Sequence, residues 1–243
     1  MRDKSAAIIV IGNEILSGKI ADTNAAFLCQ ELRRLGVTLK RILVIPDEIA
    51  VIADGVRDYH QQFDIVFTSG GVGPTHDDVT MEGIALGLGR KIIRDPWLEE
   101  KVREYSPGDP NQARLKMAEV PEGSELVFGS DLTFPAVKLE NIYILPGIPE
   151  LFRSKFEALK SHFAVDPFHI RVIYTRSMES SIAACLNATL AAFPELLLGS
   201  YPKLNHPEYR VRVTLESKDR EYLERAFAHL MSQLPQDMVV RTE

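Results

Sequence analysis

The stretch Ile65-Val66-Phe67-Thr68-Ser69-Gly70-Gly71-Val72-Gly73-Pro74-Thr75-His76-Asp77-Asp78-Val79-Thr80 carries the reading of the whole chain. Asp64 to Thr68 is a short apolar run followed by turn residues, with the length of a buried strand. Three glycines in the next positions, Gly70, Gly71 and Gly73, permit left-handed backbone and let amides approach a ligand closely. A helix from about Val79 to Leu88 follows, so the loop opens onto a helix N-terminus, the end that favours anions. The loop lacks the Lys-Ser/Thr ending of a P-loop and the spacing of a dinucleotide fingerprint, which leaves a phosphate cradle of another kind.

Working outward toward the N-terminus, Ala6 to Gly12 is an apolar run suited to a buried parallel strand. Thr23 to Leu35 places Ala25, Leu28, Cys29, Leu32 and Leu35 on one helical face, with Gly36 as its stop. Thr38 to Ile45 is a strand, and Ile49 to His60 is a helix carrying Ile49, Ile52, Ala53 and Val56. Two strand-helix-strand units in succession predict a doubly wound, mostly parallel α/β sheet. Toward the C-terminus, Asp95-Pro96 and Asn111 start further helices with the residues such starts prefer. Ala136 to Leu139 and Asn141 to Leu145 read as a hairpin or consecutive strands, and Pro149 to about His162 as a helix. From Pro167 the order becomes strand, helix, strand, strand, helix, strand, the split βαβ pattern of a smaller α+β ferredoxin-like sandwich. Its helices carry stripes at Met178, Ile182, Cys185, Leu186 and Thr189 and at Leu223, Ala226, Phe227, Leu230 and Met231, all expected in a core. The expected domains are therefore residues 1–165 and 166–243.

Composition narrows the function classes. The 243 residues are 45% hydrophobic and 26% charged, a globular balance. The net charge of -6 argues against a nucleic-acid footprint while leaving room for a local positive cradle around one small phosphate ligand. Ala6 to Ile11 is too short to span a bilayer or to form a signal-peptide core, so no membrane association and a cytoplasmic location are expected. Cys29 and Cys185 lie on apolar helical stripes and are expected to be buried free thiols. No pair among the six histidines has zinc-ligand spacing.

Ligands of open α/β sheets bind at the carboxyl ends of strands where the strand order reverses. With a 2-1-3 order of the first three strands, the loop Gly12-Asn13-Glu14 through Asp22-Thr23-Asn24 meets the loop Ser69 to Asp78. Asp77 and Asp78 would repel a phosphate held by the loop amides unless a divalent cation bridged them. Equally, Asp77 caps the following helix while Asp78 complements its dipole, with no ligand at all. Glu14 on the neighbouring loop brings a third acid to the same place and points to a metal or a basic heterocycle. Asn13 and Asn24 are candidate ligand contacts or cap and turn residues. Trp97 is a stacking candidate or packing, His76 a phosphate contact or a solvated loop residue, and Arg114 and Lys116 a counter-charge or a solvated helix face. Ser17 and Lys19 are contacts of the same grade.

Gly12-Asn13-Glu14-Ile15-Leu16-Ser17-Gly18, Asp22-Thr23-Asn24 and the run Ser69 to Thr80 resemble the molybdopterin-binding-like domain shared by molybdenum-cofactor biosynthesis proteins of the MogA/MoaB type and the CinA family. The likeness continues through Leu145-Pro146-Gly147-Ile148-Pro149-Glu150 and Gly199-Ser200-Tyr201-Pro202, nearest to the N-terminal domain of eukaryotic FAD synthases. The resemblance implies one of three ligands: ADP-ribose hydrolysed with a metal, FAD hydrolysed to FMN and AMP, or a pterin phosphate or adenylated pterin bound without turnover. In the two hydrolytic readings Ser69, Gly70, Gly71, Gly73, Thr75, Asn13 and Asn24 bind the nucleotide phosphates. Asp77, Asp78 and Glu14 are then catalytic and hold a divalent metal (Mg²⁺, Mn²⁺ or Co²⁺, with K⁺ a further candidate ion). Neither the nicotinamide-nucleotide amidase domain of full-length CinA nor the adenylyl-transferring domain of FAD synthase has a counterpart in these residues, so neither activity is expected of them. A homo-oligomer is expected from the habit of the superfamily.

Overall fold

The computed structural model describes residues 4–129 and 132–243. The chain forms two compact units, Met1–Val165 and Asp166–Glu243. In the first, the element order is β1 (Ser5–Ile11), α1 (Asn13–Leu16), α2 (Asn24–Arg34), β2 (Thr38–Ile45), α3 (Ile49–Gln62), β3 (Ile65–Ser69), α4 (Thr80–Gly87) and β4 (Ile92–Arg94). It continues with α5 (Pro96–Glu104), α6 (Gln112–Lys116), β5 (Glu119–Pro121), β6 (Glu125–Val127), β7 (Ala136–Leu139), β8 (Ile142–Leu145) and α7 (Pro149–Leu159), which runs into a 3₁₀ turn at Lys160–His162.

Six strands form one sheet in the order β2-β1-β3-β8-β7-β6. The pairs β1/β2, β1/β3 and β3/β8 are parallel, whereas β7 pairs antiparallel with both β8 and β6. β1 explains the layering. Side chains alternate across a strand, so Ala6, Ile8 and Val10 enter one core while Ala7, Ile9 and Ile11 enter the other. The first core joins them to Ala25, Leu28 and Leu32 of α2 and to Phe152, Phe156 and Leu159 of α7. The second joins them to Ile52 and Val56 of α3, Ile84 of α4 and Leu98 of α5. A strand covered on both faces has no polar side to show, which is why it reads as an unbroken apolar run.

The 2-1-3 order of the first three strands is present, and the central elements lie within a residue or two of the expected bounds. The weakly patterned pieces were missed: α1, the two-stranded ribbon of β4 and β5, and the edge strand β6 are each only three or four residues long. Asp95 and Asn111 do cap α5 and α6, their side chains accepting from the Leu98 and Arg114 amides at 3.0 and 2.9 Å.

The second unit contains β9 (His169–Thr175), α8 (Glu179–Ala192), β10 (Leu197–Pro202), β11 (Val211–Ser217), α9 (Arg220–Gln233), a 3₁₀ turn (Gln236–Met238) and β12 (Val239–Thr242). Its four strands are ordered β10-β11-β9-β12, all antiparallel, which is the ferredoxin-like arrangement. Ile182 and Leu186 of α8 and Leu223, Ala226 and Leu230 of α9 pack on Ile173, Val213 and Leu215 of the sheet. Met178 departs from its expected core place: it precedes the first turn of α8 and is exposed. Both cysteines are free, but each is only half-buried, a correction to the expectation of full burial. Burial still pushes the Cys29 thiol above its ordinary pKa, which suits an inert side chain rather than a nucleophile. No described helix is long and apolar enough to cross a membrane.

Candidate functional site

The carboxyl ends of β1, β3 and β8 lie side by side, and the loops that leave them share a cavity of about 720 Å³. That is the size range of small-molecule sites. Ile11, Glu14, Asp22, Asn24, Ser69, Gly70, Gly71, Gly73 and Asp78 line it together with the Pro146–Pro149 loop and the segment 132–135.

The glycine loop is shaped by what surrounds it. Gly70 has φ 106°, and a Cβ there would stand 2.2 Å from the Ile11 carbonyl oxygen. Gly71, at φ 63°, would drive a Cβ into the Thr80 hydroxyl at 2.3 Å. Thr80 fastens the loop from beneath: its Oγ1 donates to the Gly70 carbonyl (2.9 Å) and its amide to the Gly71 carbonyl (3.0 Å). The carbonyls are therefore turned inward and spent, while the amides of Gly71, Val72 and Gly73 make no hydrogen bond to a described residue. α4 begins after Val79, which supplies no side-chain cap. Unspent amides beside an uncapped helix start are the arrangement that favours an anion.

Asn24 is a structural clamp at the edge of this cradle. It is 3% exposed, and its Nδ2 donates to Ser69 Oγ (2.9 Å) and to the Gly147 carbonyl (2.8 Å), tying the end of β3 to the loop after β8. Asp22 occupies the start of α2, accepting from the amides of Asn24 (3.0 Å) and Ala25 (3.2 Å). Asn13 has its amide bound by Asp47 Oδ2 at 2.7 Å, and neither it nor Thr75 lines the cavity.

The three acids expected together are separated. Glu14 and Asp78 line the cavity; Asp77 does not, and its side chain is 59% exposed beside His76. Asp77, expected as the cap of α4, does not cap it: the helix starts after Val79 with no side-chain cap. Asp78 Oδ2 instead closes a turn by accepting from the Thr75 amide (2.8 Å) and hydroxyl (2.5 Å). Among the described residues no group of three or more His, Cys, Asp or Glu is placed to hold a metal ion. Glu14 and Asp78 are the two of these acids that line the cavity, and an ion held by either would need water and a ligand phosphate to complete its shell. An all-protein cage does not fit.

Lys116, read in the sequence as a solvated helix residue or a counter-charge, reaches instead to the loop: its Nζ donates to the Asp78 carbonyl (2.5 Å) and pairs with Glu82 at 3.2 Å. Trp97 packs, edge to face with Phe128 at 5.0 Å and against the second core. His76, Ser17 and Lys19 do not line the cavity. The residue that sequence reasoning overlooked is Lys155 of α7, whose Nζ donates to the carbonyls of Phe134 (2.8 Å) and Pro135 (2.5 Å) at the cavity wall. Burial lowers its pKa to about 8. The available signal was a cation between Leu151 and Leu159 at successive i,i+4 positions, interrupting an apolar row.

A doubly wound sheet with a switch-point cradle defines a class of small-ligand α/β proteins. The family model described as "Probable molybdopterin binding domain" matches residues 7–164, and the one described as "FAD synthase, middle domain" matches residues 167–243. The chain belongs to the molybdopterin-binding-domain family that includes CinA-like proteins. A protein of Archaeoglobus fulgidus is 38% identical over 90% of this chain and 93% of its own length. A "Probable FAD synthase" of Caenorhabditis briggsae is 34% identical over 91% of this chain but 48% of its own, and a "CinA-like protein" of Thermotoga neapolitana is 32% identical over 91% and 56%. This chain thus spans about half the length of those two relatives. Among solved structures, CinA of Thermoplasma acidophilum, described as of unknown function, superposes with a TM-score of 0.61 at 32% identity, covering 66% of this chain and 98% of its own.

Proposed function

We propose that this cavity binds a nucleotide through its phosphates and cleaves the phosphoanhydride of a dinucleotide such as FAD (to FMN and AMP) or ADP-ribose. The observation that carries the reading is the set of unspent amides at Gly71, Val72 and Gly73, opening on a ligand-sized cavity that also presents Glu14 and Asp78. The amides fix the diphosphate, and the Asn24 clamp keeps the two loops in register so that this fixing needs no rearrangement. Glu14 and Asp78 would hold a divalent ion, which when bound polarises the phosphoanhydride and activates water. Of those two acids, Asp78 is already oriented by Thr75, whereas no described hydrogen bond holds the Glu14 carboxylate. Glu14 is therefore the group free to turn toward the ligand's water or metal.

The test is an incubation of FAD and of ADP-ribose with Mg²⁺, Mn²⁺ or Co²⁺, with and without K⁺, the products being separated by chromatography. AMP released by the native chain and lost in Asp78→Asn and Glu14→Gln supports hydrolysis; unchanged turnover in both variants sinks the assignment. A second reading, a module that binds a pterin phosphate or adenylated pterin without turnover, is favoured by the commitment of Asp78 to Thr75 and by the absence of a three-ligand cluster among the described residues. It predicts affinity with no product after prolonged incubation.

A further inference from the structure

Lys155 is the one Lys or Arg among the residues that line the large cavity, which otherwise presents the acids Glu14, Asp22 and Asp78. α7 turns Leu151, Ser154 and Lys155 toward the cavity and Phe152, Phe156 and Leu159 toward the core. This division follows from the 3.6-residue turn. The ammonium is half-buried and donates to two carbonyl oxygens, of Phe134 and Pro135. It forms no ion pair with a described residue, and desolvation is the cause of its lowered pKa. An ammonium has three N–H donors, so one remains after the two carbonyls are served. Carbonyl dipoles do not neutralise a charge, and a partly desolvated one is stabilised when something of opposite sign meets it. The acids that share the cavity are engaged elsewhere or unpaired with it: Asp22 with the start of α2, and Asp78 with Thr75.

We propose that Lys155 is the specificity-determining cation of this cavity, pairing with an anionic phosphate oxygen of the ligand and selecting phosphorylated nucleotides over the corresponding nucleosides. The inference rests on the reading of the cavity as a nucleotide site. The glycine-loop amides recognise an anion by geometry, through neutral donors, whereas Lys155 adds the positive charge that those donors lack. A lysine serving only to staple the 134–135 segment to α7 would support every ligand of the cavity alike, charged or not. The two roles therefore separate in one ratio.

The experiment is calorimetric titration of the whole chain with FMN and riboflavin, and with AMP and adenosine, in metal-free buffer, for the native protein, Lys155→Met and Lys155→Arg. Lys155→Met is expected to weaken FMN and AMP by about tenfold or more, the worth of a charge-assisted hydrogen bond. Riboflavin and adenosine should be unaffected, and Lys155→Arg should restore most of the preference for the phosphorylated partner. Equal loss for charged and uncharged ligands assigns Lys155 to the wall alone and overturns the proposal, as does an unchanged ratio. Native protein that binds none of the four overturns both this inference and the nucleotide reading; native binding with an unchanged ratio in Lys155→Met overturns this inference only. Should Lys155→Met fail to fold, reductive methylation of the native protein followed by mass spectrometry decides. AMP should shield Lys155 from modification where adenosine does not, and equal shielding overturns the proposal.

Discussion

The two units use the same kinds of element and end with opposite surfaces. In the N-terminal unit β1, β3 and β8 run parallel, so their outgoing loops all leave at one edge and enclose a cavity of about 720 Å³. In the C-terminal unit every neighbouring pair is antiparallel, so consecutive loops alternate between the two ends of the sheet. Strand polarity thus decides where chemistry can collect: parallel strands pool their loops, and antiparallel strands disperse them. The N-terminal unit holds the buried clamp Asn24 and the glycine cradle at that edge, while the C-terminal unit gathers most of its buried apolar side chains in a single cluster.

Substitutions can break this contrast in a graded series. Gly70→Val should act hardest, because φ 106° disfavours any side chain and the Ile11 carbonyl lies 2.2 Å from the new Cβ. A loss of about 3 kcal/mol or more in the N-terminal unit, seen by urea unfolding, together with abolished nucleotide binding, is expected. Leu230→Ala in the C-terminal core should cost about 2–5 kcal/mol by the same measurement. It should leave nucleotide affinity within about twofold if the pooled-loop edge alone forms the site. Asn24→Ala comes next: it leaves Ser69 Oγ and the Gly147 carbonyl without their donor, at about 1–3 kcal/mol, and should weaken ligand binding although Asn24 serves as a clamp. Smallest of all, Asp77→Asn should change stability by less than about 0.5 kcal/mol and affinity not at all, since the side chain lies outside the cavity.

A pH series sharpens the same contrast. Lys155 has its folded pKa lowered to about 8, while the unfolded chain keeps it near ~10.4. Between these values the unfolded state binds more protons, so the contribution of this group to stability rises with pH across that window and is least below pH 8. Stability curves of native protein and Lys155→Met should therefore diverge in slope between pH 8 and ~10.4 and run parallel below it.

Legibility in the sequence followed pattern length. β1 and α3 carry enough periodic apolar residues to be located to within a residue or two, whereas the 2-1-3 order rests on its being the common arrangement of such strands and is the one present. β4, β5 and β6 have three residues each, too few for any period, and are held by their partners rather than by their own composition. At the site, Ser69 to Gly73 stood out because glycine spacing is a local signal. The separation of Asp77 from Asp78 was not legible, because adjacent residues in a turn diverge according to which hydrogen bonds close it, here those from Thr75. Lys155, and the loop carbonyl that Lys116 reaches, were not legible for a related reason. Each lysine is a surface-type residue whose partners, the carbonyls of Phe134 and Pro135 or of Asp78, lie 20 or more positions away and leave no mark on the neighbouring sequence.

The contact between Gly70 and Gly147 sets a rule for variation. A Cβ on Gly147 would meet the Gly70 α-carbon at 3.2 Å, and one on Gly70 would meet Ile11. In a saturation library the pair should behave as a single locus, intolerant at both positions, because room made at one is not room gained at the other. Gly18 and Gly89, with nothing within 4 Å of a built Cβ, should accept asparagine or aspartate despite their positive φ. Depth sequencing of survivors would thus outline the cradle without any ligand being known.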